Sequence, residues 1–296
     1  MGDAEVFEEH RPHLRAVALR LLGSAAEAED AVQEAWLRFS RADTSGVQNL
    51  AGWLTTVVSR VSLDALRARA ARRERPAGTQ LPDRGAVAGP DPQEEAQLAD
   101  SVGRALLVVL DRLAPAERVA FVLHDVFGLA FAEIGPILSR SPDTTKKLAS
   151  RARQKVRVPE DALPAGVAEH RRVVETFLDA IRRADLDALL AVLAPDVVRR
   201  ADPISLRPGA AAVVRGARDV AAEARALSRQ RARHAEPALV DGAVGAVVAP
   251  RGRLVAALTF RIEDGLITSY EVIADPARLA RLDVAVLDGT SAGGAG

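Results

Sequence analysis

Apolar residues recur at helical spacing through the first part of the chain and predict three helices. The first, over residues 5–22, ends at Gly23. The second begins at Ser24, which with Glu27 forms a capping-box pattern, and it carries the apolar stripe Ala28, Val32, Trp36 and Phe39. A polar loop over 41–49 precedes a long helix over 51–73, whose second half is rich in arginine. Helical spacing favours Trp36 and Trp53 as core residues rather than base-stacking groups.

The pattern changes over residues 76–99, where proline and glycine lie among acids without periodicity. This composition predicts an extended linker. Helices are then predicted over about 100–113 and 115–126, and two shorter ones follow. The last begins at the Ser141-Pro142-Asp143 start signal and predicts one buried face, comprising Thr145, Leu148, Ala149, Ala152 and Val156. A short helix, a tight turn and a basic helix indicate a helix-turn-helix, although Pro136 conflicts with a regular first helix.

In the remainder of the chain, helical patterns are followed by β-like runs, and this order predicts an α+β domain. Helices are expected over 169–183, 185–193 and 216–230, with a strand near 196–200. Three β-like runs follow at 238–249, 253–263 and 266–274, the last two joined by a hairpin signal at Glu263-Asp264-Gly265. Helices followed by a meander predict a curved antiparallel sheet around a helix. Residues 285–296 are expected to be a disordered tail.

Composition excludes several classes of protein. The 296 residues are 48% hydrophobic, which is ample for cores, and they include no cysteine. Disulfides, cysteine-ligated metal centres and thiol catalysis are therefore excluded. No apolar run is long enough to cross a membrane, and charges occur throughout the N-terminal residues. We therefore expect a cytoplasmic protein without a membrane partner, a cofactor or a metal site.

The net charge is zero, from 40 basic and 40 acidic residues, but the charges are unevenly distributed. Residues 1–43 carry nine acids and five arginines, whereas 44–75 carry two acids and six arginines. Residues 139–157 hold seven basic residues and one acid. Two basic segments alternating with acidic ones can present phosphate-binding surfaces on a neutral protein. Ordinary solvated helix faces are the alternative explanation.

Three segments resemble known families. AEDAVQEAWLRF at 28–39 and GWLTTVVSRVSLDALRAR at 52–69 resemble the sigma-2 domain of bacterial extracytoplasmic-function sigma factors of the sigma-70 family. HDVFGLAFAEIGPILSRSPDTTKKLASRARQKVR at 124–157 resembles their sigma-4 helix-turn-helix. The C-terminal part is similar to the SnoaL-like (NTF2-like) domain that is fused to one subgroup. The resemblance implies a sigma-2 domain at 1–75, a linker at 76–99, sigma-4 at 100–158 and a SnoaL-like domain at 166–284.

The resemblance also implies partners and roles. A sigma factor binds the largest subunits of core RNA polymerase and recognises the −10 and −35 elements of promoter DNA, and it is not an enzyme. The polymerase-docking face corresponds to Asp30, Gln33 and Glu34. The −10 element would be contacted by residues near the loop and along the third helix, namely Asn49, Thr56, Arg60, Arg67, Arg72 and Arg73. The −35 element would meet the basic helix at Thr144, Lys146, Lys147, Ser150, Arg151 and Arg153.

The C-terminal domain is expected to regulate activity in cis, in place of a separate anti-sigma protein. Two motifs that characterise this subgroup are altered in the present sequence. The first reads Ala201-Asp202-Pro203-Ile204-Ser205, and the second reads Ala274-Asp275-Pro276-Ala277-Arg278-Leu279. Asp202, Asp275 and Pro276 are the regulatory-motif candidates.

Two other functions remain open on the sequence. SnoaL-like relatives place acid–base groups inside the sheet, so Asp202, His234, Tyr270 and Asp275 could serve catalysis or ligand binding. Their scattered spacing favours structural roles. A helix-turn-helix repressor, which would bind duplex DNA without polymerase, is the remaining alternative.

Overall fold

The computed structural model describes residues 3–74, 103–156, 158, 166–206 and 209–287. The predicted linker at 76–99 lies outside these ranges. Contacts divide the chain into two compact units. One comprises Met1–Leu98 with Arg112–Lys155, and the other comprises Ala99–Asp111 with Val156–Gly296.

Three helices form the first part of the N-terminal unit: α1 (Asp3–Leu22), α2 (Ala25–Phe39) and α3 (Leu50–Glu74). Each packs against the other two, and Phe7, Leu14 and Leu54 are fully buried between them. An aromatic cluster lies in this core. Phe7 contacts Trp36 at 5.1 Å between ring centroids, and Phe39 contacts Trp53 at 6.1 Å. Both tryptophans are half-buried and pack against the buried rings of Phe7 and Phe39, so they lie at the edge of the core rather than inside it.

The start of α2 differs in detail from the predicted capping box. The Ser24 hydroxyl accepts a hydrogen bond from the Glu27 backbone N–H at 3.4 Å, as expected. The Glu27 carboxylate instead pairs with Arg69 on α3. Only half of the capping box therefore forms, and the other half becomes an ion pair between two helices.

The predicted helix-turn-helix is present in the same unit. Helix α5 (Pro115–Phe121) continues into a π-helical turn (Val122–Val126), and α6 (Phe131–Leu138) and α7 (Pro142–Val156) follow. Pro136 lies inside α6 without ending it. The turn between α6 and α7 passes close to Gly135, where an added Cβ would lie 2.8 Å from the Arg140 carbonyl oxygen. The tight turn therefore depends on a residue without a side chain.

Helices and a mixed sheet build the other unit. Its helices are α4 (Arg104–Asp111), α8 (Val167–Arg183), α9 (Leu186–Val192), α10 (Ala217–Ala232) and the short α11 (Pro276–Leu279). The strands are β1 (Leu193–Ala201), β2 (Val213–Arg215), β3 (Ala235–Val240), β4 (Ala243–Val248), β5 (Ala256–Glu263), β6 (Leu266–Ile273) and β7 (Val284–Ala285).

The sheet has the strand order β2-β1-β6-β5-β4-β3-β7. Most neighbouring strands are antiparallel, but β1 and β6 run parallel, with Arg199 opposite Tyr270. The expectation of a wholly antiparallel sheet is therefore wrong at this pair. A long crossover through α10 and the meander returns the chain to β1 in the same direction, which a hairpin could not do.

The predicted strand over 238–249 is two strands joined by a tight turn at Asp241-Gly242. Both turn residues have positive φ, 52° and 77°. This is the backbone conformation that Asp-Gly favours in two-residue hairpins, so the sequence contained the signal. Strands β2 and β7 were also missed because each is too short to show alternation. Ala285 lies in β7 and Leu287 is buried, whereas the tail was predicted from residue 285. The rest of the predicted tail lies outside the described ranges.

The core of this unit lies between α8, α10 and one face of the sheet. Val174, Phe177, Leu189, Val220 and Ile267 are completely buried there. The prediction of a domain in which the sheet packs around a helix is confirmed.

Candidate polymerase and nucleic-acid interface

The three residues predicted to dock on polymerase share one face of α2. Asp30 and Gln33 are exposed, and Glu34 is half-buried and accepts a hydrogen bond from Arg38 at 2.9 Å. Their spacing of three and four residues brings them onto consecutive turns of the same side. The other acids of this helix have internal partners: Glu27 pairs with Arg69, and Glu29 pairs with Arg11. Within the described chain Asp30 forms no ion pair, so its carboxylate is available to a partner.

Four of the six residues predicted for the −10 element lie along one side of α3 and its N-terminus. Asn49, Thr56, Arg60 and Arg67 follow one another at intervals of seven, four and seven residues, which return to the same side of a helix. Asn49 also caps α3, because its side-chain oxygen accepts the Gly52 N–H at 2.9 Å.

The remaining arginines of α3 are placed differently. Arg72 is exposed but lies about a third of a turn away from the face carrying Arg60 and Arg67. The side chain of Arg73 lies outside the described part of the chain. Arg60 itself donates a hydrogen bond to the Pro136 carbonyl of α6 at 3.1 Å. In this arrangement its guanidinium is engaged within the unit, which the sequence did not indicate.

The N-terminal half of α7 presents a cationic surface. Thr144, Lys146, Lys147, Ser150 and Arg151 are all exposed. The opposite face is anchored, because Thr145, Ala149, Ala152 and Val156 are buried. The Ser141 hydroxyl accepts the Thr144 backbone N–H at 3.3 Å and fixes the start of the helix. A helix anchored by one face, with basic and hydroxyl side chains at its other face, has the geometry that enters the major groove in helix-turn-helix proteins.

Arg153 differs from the other −35 candidates. Its Nε donates to Asp125 Oδ1 at 2.6 Å, and the side chain is half-buried. This ion pair ties the end of α7 to the π-helical turn. Lys155 is held in a similar way by Glu117 at 2.7 Å. The last turn of α7 therefore supports the motif through ion pairs.

The two regulatory motifs, distant in sequence, meet in the C-terminal unit. Asp202 Oδ2 accepts the backbone N–H groups of Ala274 and Asp275, both at 3.0 Å, and Oδ1 accepts from Arg278 at 2.5 Å. Burial by itself would raise the pKa of Asp202, but these three donors together lower it. Asp275 caps α11, and Pro276 occupies its first position. The motifs therefore form a clamp between the end of β1 and the end of β6.

The four acid–base candidates do not lie together at one site. Asp202 and Asp275 belong to the clamp, and His234 accepts a hydrogen bond from Arg233 at 3.0 Å. Only Tyr270 lines the cavity inside the sheet. The three scattered polar residues have structural contacts, as the spacing in the sequence suggested.

Helix α4 shows a contact that sequence reasoning missed. It packs on β3, β4, β7 and the turn at Pro250–Gly252 of the C-terminal unit. The Glu236 carboxylate on β3 accepts the backbone N–H groups of Arg104, and of Ala105 at 3.2 Å, at the start of α4. Leu107 packs against Gly252, where an added Cβ would lie 3.0 Å away. A carboxylate that caps a helix 132 residues earlier in the chain leaves no local pattern, so the sequence could not reveal it.

Across the described ranges, no helix is both long and apolar enough to span a bilayer. The same residues contain no cluster of three or more His, Asp or Glu side chains arranged to hold a metal ion.

Known protein families match both N-terminal segments of the chain. The Sigma-70 region 2 family matches residues 6–72, and the Sigma-70 region 4 family matches residues 103–156. The ECF RNA polymerase sigma factor SigJ of Mycobacterium tuberculosis is 45% identical over 215 residues, covering 71% of this chain and 68% of that protein. The probable ECF sigma factor SigI of the same species is 38% identical over 278 residues, covering 92% and 93%.

Solved structures are similar along the chain and at its C-terminal part. The crystal structure of M. tuberculosis SigJ is 34% identical and covers 94% of this chain and 98% of its own, with a TM-score of 0.44. A SnoaL-like protein of unknown function from Burkholderia thailandensis covers 36% of this chain and 92% of its own, at 23% identity and a TM-score of 0.29. On the two matched regions and the extended identity with SigI and SigJ, the chain belongs to the extracytoplasmic-function sigma factors of the sigma-70 family, which bind core RNA polymerase and promoter DNA.

Proposed function

We propose that this sigma factor docks on core polymerase through the exposed face of α2, reads the −35 element with α7 and engages the melted −10 element along α3. The observation that carries the proposal is the exposed cationic half of α7 opposite a fully anchored face. Lys146 and Lys147 lie on its second turn, where helix-turn-helix proteins contact base edges or adjacent phosphates. The same helix has its last turn fixed by ion pairs, which holds the exposed half in place.

The proposed role of α3 is supported by the positions of its polar and basic side chains. Extruding a base from a duplex costs a few kcal/mol and needs a polar pocket beside a basic track. Asn49 and Thr56 lie at the polar end of the α3 face, and Arg60 and Arg67 continue it. Release of Arg60 from the Pro136 carbonyl would make its guanidinium available to DNA.

Promoter binding by variants of α7 tests the proposal. Lys146→Ala combined with Lys147→Ala should weaken binding of the polymerase holoenzyme to its promoter by at least about 30-fold, because the two lost contacts contribute about 1–3 kcal/mol each. Arg261→Ala is the matched control, since this arginine is 75% exposed on the C-terminal unit. Binding to core polymerase without DNA should stay unchanged. Equal loss in the Arg261 variant, or no loss in the lysine variant, would contradict the role of α7.

The C-terminal domain regulates this activity in cis, and α4 is the element through which it acts. Residues 104–111 belong to the segment matched by Sigma-70 region 4, yet they pack on the C-terminal strands. Ala105, Leu107, Val108, Val109 and Leu110 are buried. Because α4 is apolar on every side, removing the C-terminal strands would expose part of it to water.

Truncation near residue 165 is therefore expected to change promoter-specific transcription by the holoenzyme. Glu236→Ala should shift activity in the same direction, because it removes the cap of α4 while leaving the domain present. Glu236→Gln, which keeps an oxygen acceptor, should behave like the unaltered protein. Equal transcription from the full chain and the truncated chain would defeat regulation in cis and leave the sigma activity intact.

A further inference from the structure

A cavity lies inside the C-terminal domain between α8, α10 and the sheet. Its volume is about 100 Å³, near the roughly 150 Å³ that holds benzene in an engineered protein core. Phe177, Leu178, Ile181, Val248 and Leu258 form apolar walls. This space is about two thirds of that volume, so it takes an occupant no larger than a single ring, which gains from leaving water.

One polar group in this cavity lacks a partner. Tyr270 is 7% exposed, and no residue of the described chain hydrogen-bonds its hydroxyl. Its ring is held between Phe177, at 5.3 Å between centroids, and Phe260, at 5.8 Å. A buried hydroxyl normally finds a hydrogen-bond partner, so the partner of this one has to come from whatever occupies the cavity.

The hydroxyl acts as a donor. Burial is the largest effect and raises the pKa of Tyr270 well above its usual value, so the group stays protonated at physiological pH. Asp202, His234 and Asp275 do not line the cavity, so none of these candidate bases is available there. The site is therefore suited to holding an oxygen acceptor.

The two charged residues that line the cavity form an ion pair and neutralise each other's charge. Arg199 is 3% exposed and makes a two-pronged ion pair with Glu223, with Nε to Oε2 at 3.0 Å. The Arg199 Nη1 also donates to the carbonyls of Ala211 at 3.0 Å and Ala212 at 3.3 Å. A charged occupant would have to break this pair or remain uncompensated, and both are costly in a buried site.

We propose that this cavity is a binding site for a small uncharged molecule of about one ring that carries a carbonyl or ether oxygen, which accepts a hydrogen bond from Tyr270. The apolar walls take the hydrocarbon part, and the neutral Arg199–Glu223 pair excludes ions. The proposal does not rest on promoter recognition by α7 or on regulation through α4.

Tyr270 is the only tyrosine in the chain, so a single labelled resonance reports on the site. We would label the full chain with tyrosine enriched in ¹³C at Cζ and titrate it with cyclopentanone, benzene or cyclopentanecarboxylate. Cyclopentanone should move the resonance saturably. Benzene should bind as well, since it fills the apolar part, and the carboxylate should bind at least about tenfold more weakly than cyclopentanone.

Affinities of two variants complete the test, measured by ligand-observed NMR. Tyr270→Phe should weaken cyclopentanone binding about fivefold to tenfold and leave benzene binding unchanged. Ser269→Ala is the matched control, because it removes a hydroxyl from the neighbouring residue, which faces the other side of β6. The proposal is overturned if no saturable shift occurs in the unaltered protein, if the carboxylate binds more tightly than the ketone, or if Tyr270→Phe leaves ketone binding unchanged.

Discussion

At the scale of single residues, the same residue type has different functions according to its partners. Lys146 and Lys147 extend into solvent, whereas Lys155 on the same helix is paired with Glu117. Among the acids of α2, Asp30 is exposed to solvent, whereas Glu29 forms an ion pair with Arg11. The sequence predicted the exposed faces of α2 and α7. It could not predict Arg60 donating to Pro136, because that contact joins residues 76 positions apart.

Glu236 gives a pH-dependent prediction at this scale. Burial is the largest effect and raises its pKa, although the N–H groups of Ala105 and Arg104 oppose the shift. The folded protein therefore takes up a proton at Glu236 more readily than the unfolded chain. The stability that this provides is fully present below the unfolded pKa and falls as pH rises through the raised folded pKa.

Urea unfolding between about pH 4 and pH 7 measures this effect. The Glu236→Gln variant should lose less stability over this range than the unaltered protein, because its amide does not ionise. Glu236→Ala should be less stable than both at every pH by about 1–2 kcal/mol, since the helix loses its cap. Parallel pH profiles for Glu236→Gln and the unaltered protein would contradict this account.

At the scale of elements, local signals predicted the long helices and the second hairpin well. The stripe Ala28, Val32 and Phe39 predicted the buried face of α2, and Glu263-Asp264-Gly265 predicted the turn between β5 and β6. In α3 the most buried apolar residues are instead Leu54 and Val58, and Trp53 is only half-buried. The division at Asp241-Gly242 was also readable, but the apolar residues on both sides of it were interpreted as one strand. The parallel pairing of β1 with β6 and the position of α4 depend on contacts between distant segments. No local pattern contains that information.

The turn of the helix-turn-helix provides a prediction for an element. Gly135→Ala places a Cβ within 2.8 Å of the Arg140 carbonyl oxygen, which is backbone and cannot rotate away. We expect a loss of about 1–3 kcal/mol in unfolding free energy and weaker promoter binding. Gly46→Ala is the control, because an added Cβ there meets nothing within 4 Å. Thermal unfolding of both variants measures the difference, and equal stability would show that the turn tolerates a side chain.

At the scale of the whole molecule, charge is balanced overall but divided among segments. The excess of basic residues over 44–75 and 139–157 is offset elsewhere in the chain. Few phosphates can be neutralised by such a protein alone, so we expect weak binding to free duplex DNA. Adding core polymerase should raise promoter affinity by at least about 100-fold at physiological salt. Fluorescence anisotropy with and without polymerase measures this ratio, and equal affinity in both would favour an ordinary DNA-binding repressor.

The central claim is that this chain directs polymerase to promoters through α7. Run-off transcription from a library of genomic fragments, with purified core polymerase and the full chain, tests it most directly. We predict discrete transcripts that require the chain, that share upstream sequence elements, and that disappear with Lys146→Ala combined with Lys147→Ala but persist with Arg261→Ala. Transcripts that are the same with and without the chain, in a reaction where it fails to bind core polymerase, would contradict the claim.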